Sequence, residues 1–359
     1  MTLSQVTTEE NGNLKSNEKL RFSSINCLKA LGAFFIICIH CFDLWYLFPI
    51  IRTAVPFFFI ISGFFLYRDN PKDALDKCIA TLKKIFWITL YANLFYYVCY
   101  YIPSDPVPFK NLESLIKYII IGNKLGFHLW YLNAYIEALI VIIIALRLRV
   151  LGYLWFSIPF LIILGLILGK YAFLFPQLPN TTILSRNFIT MGIPCVGIGW
   201  LIRKYSSQLL KIFSYPILLT IIILILSECE IVLLKFTGSR LLSGDYIITT
   251  IPLAASMVLI AVKYPFVGKN SLIEFVGKKY STDIYIFHIF ILNLFAYLNA
   301  KILNLLSFTL PFIVFVLTIL FIILLQKIST KFLKGDHGGS YTKLPDENVH
   351  EHCEKHVSE

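Results

Sequence analysis

Four ionisable residues lie in the first two apolar stretches of the chain. Lys29, His40 and Asp43 fall inside the first stretch, and Arg52 opens the second. Ionisable groups at membrane depth are costly, and they usually face a bundle interior or a water-filled cavity. An imidazole can act as a general base, and a guanidinium can stabilise negative charge that develops during a reaction. These residues therefore predict a reaction site within a membrane.

The spacing of these residues brings them together. Lys29 and His40 are about three helical turns apart at roughly 3.6 residues per turn, so both side chains leave one face of a helix. Asp43 follows His40 by less than one turn and shares that face. A turn near Tyr46 leaves His40 and Arg52 at a similar depth. We predict that a base, an acid and a cation face one another across this turn.

The composition is that of an integral membrane protein. Hydrophobic residues make up 57% of the 359 residues, aromatic residues make up 16%, and the mean hydropathy is +0.74. A helix needs about 20 apolar residues to cross a membrane. We predict an all-α polytopic fold, a bundle of about ten transmembrane helices. The predicted spans are residues 24–46, 50–67, 79–102, 127–146, 150–169, 187–202, 210–234, 246–264, 279–300 and 308–333.

Basic residues orient this predicted bundle. Most of the 32 Lys and Arg residues fall on the side that carries both termini, and short cytoplasmic loops retain an excess of positive charge. We therefore predict disordered cytoplasmic tails at residues 1–23 and 334–359 and a transmembrane domain at residues 24–333. The protein is expected to be a multi-pass protein of a bacterial cell membrane. The net charge of +11 requires no nucleic-acid partner, because basic clusters at helix ends meet anionic lipid headgroups.

Other polar residues interrupt the later spans. Glu137 lies about two turns inside the fourth span, and Arg186 precedes the sixth. His288 lies near the middle of the ninth span, where a hydrogen bond between helices and a catalytic or ligand-binding role are both open. Trp130 stands at the edge of a span, a position typical of the interfacial aromatic belt.

The cysteines and the histidine-rich C-terminal tail do not predict a metal site. Cys38 and Cys41 flank His40, which would suit a metal or a redox centre. A cysteine in the middle of an apolar helix behaves as a small apolar residue, however. The tail histidines have no packed surroundings that would hold a metal ion. We predict no bound metal.

Several motifs, in this order, resemble those of the acyltransferase 3 family of membrane-bound acyltransferases. The resemblance covers residues 24 to about 330. The motifs are a basic residue, ten others and a histidine from Lys29 to His40, VPFFFIISGFFL with Ser62, HLWYL from His128 to Leu132, and Tyr280, Ser281, Tyr285 and His288.

The resemblance implies a reaction. Members of this family move an acetyl or other short acyl group from acyl-coenzyme A to a hydroxyl of a surface polysaccharide or lipid-linked glycan. His40 is the candidate base for the hydroxyl proton, and Arg52 is the candidate for stabilising the oxyanion. Asp43 is expected to orient the imidazole or to pair with Arg52.

Cationic residues on the predicted cytoplasmic side would bind the anionic end of acetyl-CoA or another acyl-CoA. We predict Lys29, Lys83 and Lys84 in this role, with Arg203 and Lys278 available nearby. Two arginines often precede the third span in this family, and Lys83 and Lys84 stand in their place. Residues predicted to bind substrate or to support the site are Ser62, Trp130, Glu137, Arg186 and His288.

Two other classes of function fit the same pattern. Intramembrane charges and broken helices, such as the Gly192 and Pro194 region, also occur in a transporter or flippase for a glycan or small organic anion. An accessory subunit of a polysaccharide-export complex is a third alternative. No internal repeat of broken segments is visible in the sequence, and binding or hydrolysis of acetyl-CoA would distinguish an acyltransferase from a transporter. The cluster of Lys29, His40 and Arg52 argues against an accessory subunit.

Overall fold

The computed structural model of this chain describes residues 22–41, 47–101, 111–113, 125–175, 177, 186–237, 246–298 and 309–335. Every element assigned within these residues is helical. The α-helices are α1 (Ser23–Cys41), α2 (Phe48–Ile51), α3 (Ala54–Leu66), α4 (Pro71–Tyr96), α5 (Trp130–Arg147), α6 (Leu151–Phe156), α7 (Ile158–Leu168), α8 (Ile193–Lys204), α9 (Ser206–Ile212), α10 (Pro216–Phe236), α11 (Thr250–Lys263), α12 (Leu272–Lys279), α13 (Ser281–Leu298) and α14 (Leu310–Gly335). Short 3₁₀ segments occur at Phe127–Leu129 and Ala172–Leu174, and π-helical turns at Tyr97–Tyr101 and Phe188–Gly192.

Six helical stretches are long and apolar enough to cross a membrane. They are Ser23–Cys41, Phe48–Leu66, Pro71–Cys99, Phe127–Arg147, Pro216–Phe236 and Leu310–Thr330. Shorter apolar helices occur at Ile158–Leu168, Thr250–Lys263 and Ser281–Phe295. The prediction of an all-α membrane fold is therefore confirmed for the described residues. The total of about ten spans, the tail boundaries and the cytoplasmic position of both termini stay predictions.

The predicted span at residues 187–202 begins with a break. Asn187 Oδ1 accepts hydrogen bonds from the backbone N–H groups of Ile189 and Thr190, at 2.8 and 3.0 Å. The π-helical turn follows, and Pro194 sits in the first turn of α8, where a missing N–H costs little. This break holds Arg186, just before Asn187, at the start of the helix.

A second break separates α2 from α3. The Arg52 N–H donates to the Phe48 carbonyl at 3.0 Å, and the Thr53 hydroxyl donates to the Ile50 carbonyl at 2.6 Å. The backbone groups of this turn are thus satisfied inside the bundle, as an apolar environment requires. The Arg52 guanidinium lies 5.1 Å from the centre of the Phe48 ring. The break therefore places a cation between two apolar helices.

Glycines allow α3 and α8 to pack backbone against backbone. A Cβ atom on Gly63 would overlap the Val196 carbonyl, and a Cβ atom on Gly199 would overlap the Ile60 carbonyl. Small residues permit such close approach between helices in membranes. This contact joins α8 to α3, the helix that follows Arg52.

Replacing Gly199 by alanine is expected to destabilise the protein by about 1–3 kcal/mol, because the added methyl group overlaps backbone atoms that have no room to move. Thermal unfolding in detergent, followed by circular dichroism, measures the loss. Gly152→Ala is the matched control, since a Cβ there meets nothing within 4 Å. Equal melting temperatures for the two variants would contradict the packing argument.

Candidate functional site

Two adjoining cavities lie among α1, α3, α4, α5 and α13. The larger has a volume of about 390 Å³ and the smaller about 60 Å³. Ligand pockets in proteins commonly measure roughly 300–1,000 Å³, so the larger cavity can hold a substantial part of a substrate. The residues that line both cavities are Ile36, Val55, Tyr131 and Tyr285.

Lysine side chains line the larger cavity. Lys29 from α1 and Lys84 from α4, two of the predicted donor-binding residues, are both in its wall. Lys77 also lines the cavity, since it lies two turns before Lys84 on the same face of α4, and Lys278 joins them from α12. Lys83 lines neither cavity, because it leaves α4 on a different face. This wall would attract an anionic ligand.

Hydroxyl groups follow the lysines along the larger cavity. Ser62, Tyr131 and Tyr135 all line it. The Ser62 hydroxyl donates to the Phe58 carbonyl of its own helix at 2.7 Å, so its oxygen can still accept a hydrogen bond. The Tyr131 ring packs against the Tyr285 ring with centroids 5.4 Å apart. The cavity thus changes from cationic to aromatic towards the smaller chamber.

The smaller cavity brings together four of the predicted residues. His40, Arg52, Trp130 and Arg186 all line it. Arg52 and Arg186 are close enough for their charges to act on the His40 imidazole. In the described part of the chain, the His40 ring makes aromatic contacts and no hydrogen bond. A base and two cations therefore share one small chamber.

Three histidines form a cluster at this chamber. The centroids of the His40 and His288 rings are 5.3 Å apart, and those of His128 and His288 are 5.2 Å apart. His128 lines the smaller cavity. His128 was not among the residues predicted for the site, although it begins the HLWYL motif. Its position follows from the 3₁₀ turn that precedes α5, which a motif alone does not predict.

Backbone carbonyls of α13 hold two of these rings. His128 Nε2 donates to the Ile286 carbonyl at 3.1 Å, and the Tyr285 hydroxyl donates to the His128 carbonyl. His288 Nδ1 donates to the Tyr285 carbonyl at 2.8 Å, within its own helix. The described residues contain no hydrogen bond from His288 to a neighbouring helix. In this structure His288 meets the His40 and His128 rings through aromatic contacts rather than through a hydrogen bond.

Two predicted residues lie away from the chamber or outside the described ranges. Glu137 lines neither cavity, and its Oε2 is buried without a hydrogen-bond partner among the described residues. Asp43 lies outside the described residues, so its part in the site stays a prediction. Among the residues that the structure describes, no group of three His, Cys, Asp or Glu side chains is arranged to hold a metal ion.

Comparison with known proteins identifies similar sequences. The profile of a family described as "Acyltransferase domain" matches residues 22–327. A serine/alanine racemase of Enterococcus gallinarum is 27% identical over 130 residues, which is 33% of this chain and 18% of the racemase. An amino-acid racemase of Enterococcus faecalis is 29% identical over 145 residues, 36% of this chain and 20% of the racemase. The match therefore spans a fifth or less of either relative. No solved structure matches the chain significantly.

Proposed function

The chain belongs to the acyltransferase 3 family, and we propose that it transfers an acetyl or other short acyl group from acyl-coenzyme A to a carbohydrate hydroxyl. The acceptor is a surface polysaccharide or a lipid-linked glycan, and the enzyme acts in the cell membrane with both termini in the cytoplasm. One observation carries the proposal. His40 and Arg52 line a chamber that adjoins a lysine-lined cavity large enough for part of the donor.

The lysine-lined cavity suits the donor. The nucleotide end of acyl-coenzyme A is strongly anionic, and Lys29, Lys77, Lys84 and Lys278 line this cavity. The slender arm that carries the thioester would extend past Tyr131 towards the smaller chamber. In this arrangement the donor enters from the cytoplasm, and the carbohydrate reaches the chamber from the opposite face.

The reaction needs one base and one group that stabilises negative charge. His40 takes the proton of the acceptor hydroxyl while the hydroxyl oxygen bonds to the thioester carbonyl carbon. The Arg52 guanidinium stabilises the oxyanion that forms on the carbonyl oxygen. The carbon–sulfur bond then breaks, and the thiolate takes the proton from His40. An acyl ester and free coenzyme A leave, and His40 returns to its neutral state. Asp43 is proposed to orient the His40 ring or to pair with Arg52.

The decisive experiment supplies both substrates to the purified protein. The protein, reconstituted in vesicles, is incubated with acetyl-CoA carrying a labelled acetyl group and with cell envelopes from a strain that lacks the gene. We expect free thiol to appear together with label in the envelope glycan, detected by mass spectrometry as an added acyl mass. A transporter or flippase would leave the thioester intact, and that result would overturn the proposal.

Lysines of the larger cavity should govern donor affinity. Replacing Lys29 and Lys84 together by methionine is expected to raise the KM for acetyl-CoA about tenfold or more, because two cationic contacts to the donor are lost. Lys83→Met is the matched control, since Lys83 lines neither cavity. Steady-state rates at varied acetyl-CoA measure both. A larger effect from Lys83 than from the pair would refute the assignment of the cavity to the donor.

A further inference from the structure

His288 has one ring nitrogen that the rest of the protein leaves without a partner. Its Nε2 is buried and accepts no hydrogen bond within the described residues, and the residue is 0% exposed. Buried polar atoms in folded proteins almost always have partners, because an unsatisfied one costs free energy. The same holds for Nδ1 of His128, which is 4% exposed. Each of these two nitrogen atoms would be stabilised by a hydrogen-bond donor nearby.

The backbone bonds decide which protons these rings carry. A carbonyl oxygen can only accept, so the nitrogen that faces it must hold the hydrogen. Nδ1 of His288 and Nε2 of His128 are therefore N–H groups. In a neutral imidazole the second nitrogen is then an acceptor. The free nitrogens of His288 and His128 both present lone pairs, so neither can donate to the other.

His40 is the donor that the cluster offers. Its ring lies 5.3 Å from the His288 ring, centroid to centroid, with an angle of 31° between the planes. The two rings are not hydrogen-bonded in this structure, and at this separation a rotation of the His40 ring, rather than a movement of a helix, is what would bring its N–H to about 3 Å from His288 Nε2. The described residues provide the His40 ring with no other hydrogen-bond acceptor. The cluster thus contains two lone pairs and one ring with an uncommitted N–H.

We propose that His288 is a positioning residue for the base: when the His40 ring turns towards it, His288 accepts through Nε2 a hydrogen bond from the N–H of His40. This bond would hold one tautomer of His40, so that its other nitrogen faces the acceptor hydroxyl. When His40 takes the substrate proton, the same bond stabilises the imidazolium until the thiolate removes that proton. The proposal rests on the proposed function and names the group that orients its base.

Two substitutions at His288 separate this role from a structural one. In His288→Asn, the side-chain amide can still donate to the Tyr285 carbonyl, and the acceptor towards His40 is lost. In His288→Gln, the amide oxygen can replace Nε2 as the acceptor, and the bond within α13 is lost. If His288 only supports the fold, His288→Asn should have the smaller effect on activity. If His288 positions His40, His288→Gln should have the smaller effect.

We expect His288→Asn to lower kcat for acetyl transfer to the envelope glycan about 10- to 100-fold, with the KM for acetyl-CoA unchanged. His288→Gln is expected to recover most of the rate. The His288→Gln variant is expected to have the lower melting temperature of the two, although it has the higher rate. A Gln variant slower than Asn, equal losses in the two variants, or full activity in both would overturn the proposal.

A second measurement does not depend on turnover. In protein labelled with ¹⁵N-histidine, the Nε2 resonance of His288 is expected to move towards the position of a free lone pair when His40 is replaced by alanine. An unchanged resonance would overturn the proposal. If the wild-type protein transfers no acyl group while this shift is present, the proposed function fails and the pairing of the two rings stands.

Discussion

Replacing His40 by alanine is expected to lower the rate of acyl transfer about 10²- to 10⁴-fold, because the hydroxyl then has no base positioned to take its proton. His40 lies in the last turn of α1, lines the smaller cavity and lies near two cations. The N–H groups of His128 and His288 are committed to backbone carbonyls, so removing His40 leaves no other uncommitted imidazole N–H in the described cluster. The rate of labelled acetyl transfer to envelope glycan measures the effect.

The control for this variant lies on the same helix. Leu31, also on α1, is 37% exposed, so Leu31→Ala should keep nearly the full rate. Both variants should reach the membrane in similar amounts, which immunoblotting of the membrane fraction checks. Turnover by the His40 variant within tenfold of the wild-type rate would remove His40 as the general base.

Replacing Arg52 by alanine is expected to lower kcat about 10²- to 10³-fold while the KM for acetyl-CoA stays nearly constant. The reason is that a guanidinium that stabilises the oxyanion acts mainly in the transition state. Arg52→Lys should retain part of the rate, because the charge remains and the planar geometry is lost. Steady-state kinetics with acetyl-CoA and envelopes separate the two constants.

Arg203 is the matched control for the Arg52 variants. Its guanidinium stacks on the Phe22 and Phe64 rings, at 5.4 and 5.1 Å, and it lines neither cavity. Arg203→Gln should therefore leave kcat close to the wild-type value. If the Arg52 variant instead raised the KM for the donor and left kcat unchanged, Arg52 would be a binding residue.

The sequence predicted the main features of this chamber because helical periodicity is local. Lys29 and His40 leave one face of α1 and line the two adjoining cavities, as their spacing predicts. His40 and Arg52 converge on the smaller cavity, while the turn predicted near Tyr46 lies outside the described residues. Arg186 joins them from a distant segment, and its position before an interrupted span was the only signal.

Other parts of the site depend on packing between distant helices, and the sequence could not supply them. Lys77 and Lys83 are the same residue type on one helix, and only the rotation of α4 against α1 and α13 brings Lys77 to the cavity. His128 faces His288 because its ring donates to the Ile286 carbonyl of α13 and its own carbonyl accepts from the Tyr285 hydroxyl. Breaks such as Phe188–Gly192 also explain why fewer described helices reach full spanning length than the apolar runs predict.

The residues shared by the two cavities have a further consequence for the cell. An enzyme that takes substrates from opposite faces of a membrane must not conduct ions between them. Ile36, Val55, Tyr131 and Tyr285 form the common wall, and none of these side chains carries a charge. A hydrated ion that passed between the cavities would exchange some of its water for these uncharged side chains, which disfavours its passage. The side chains that admit the thioester-bearing arm of the donor would therefore also preserve the electrochemical gradient across the membrane.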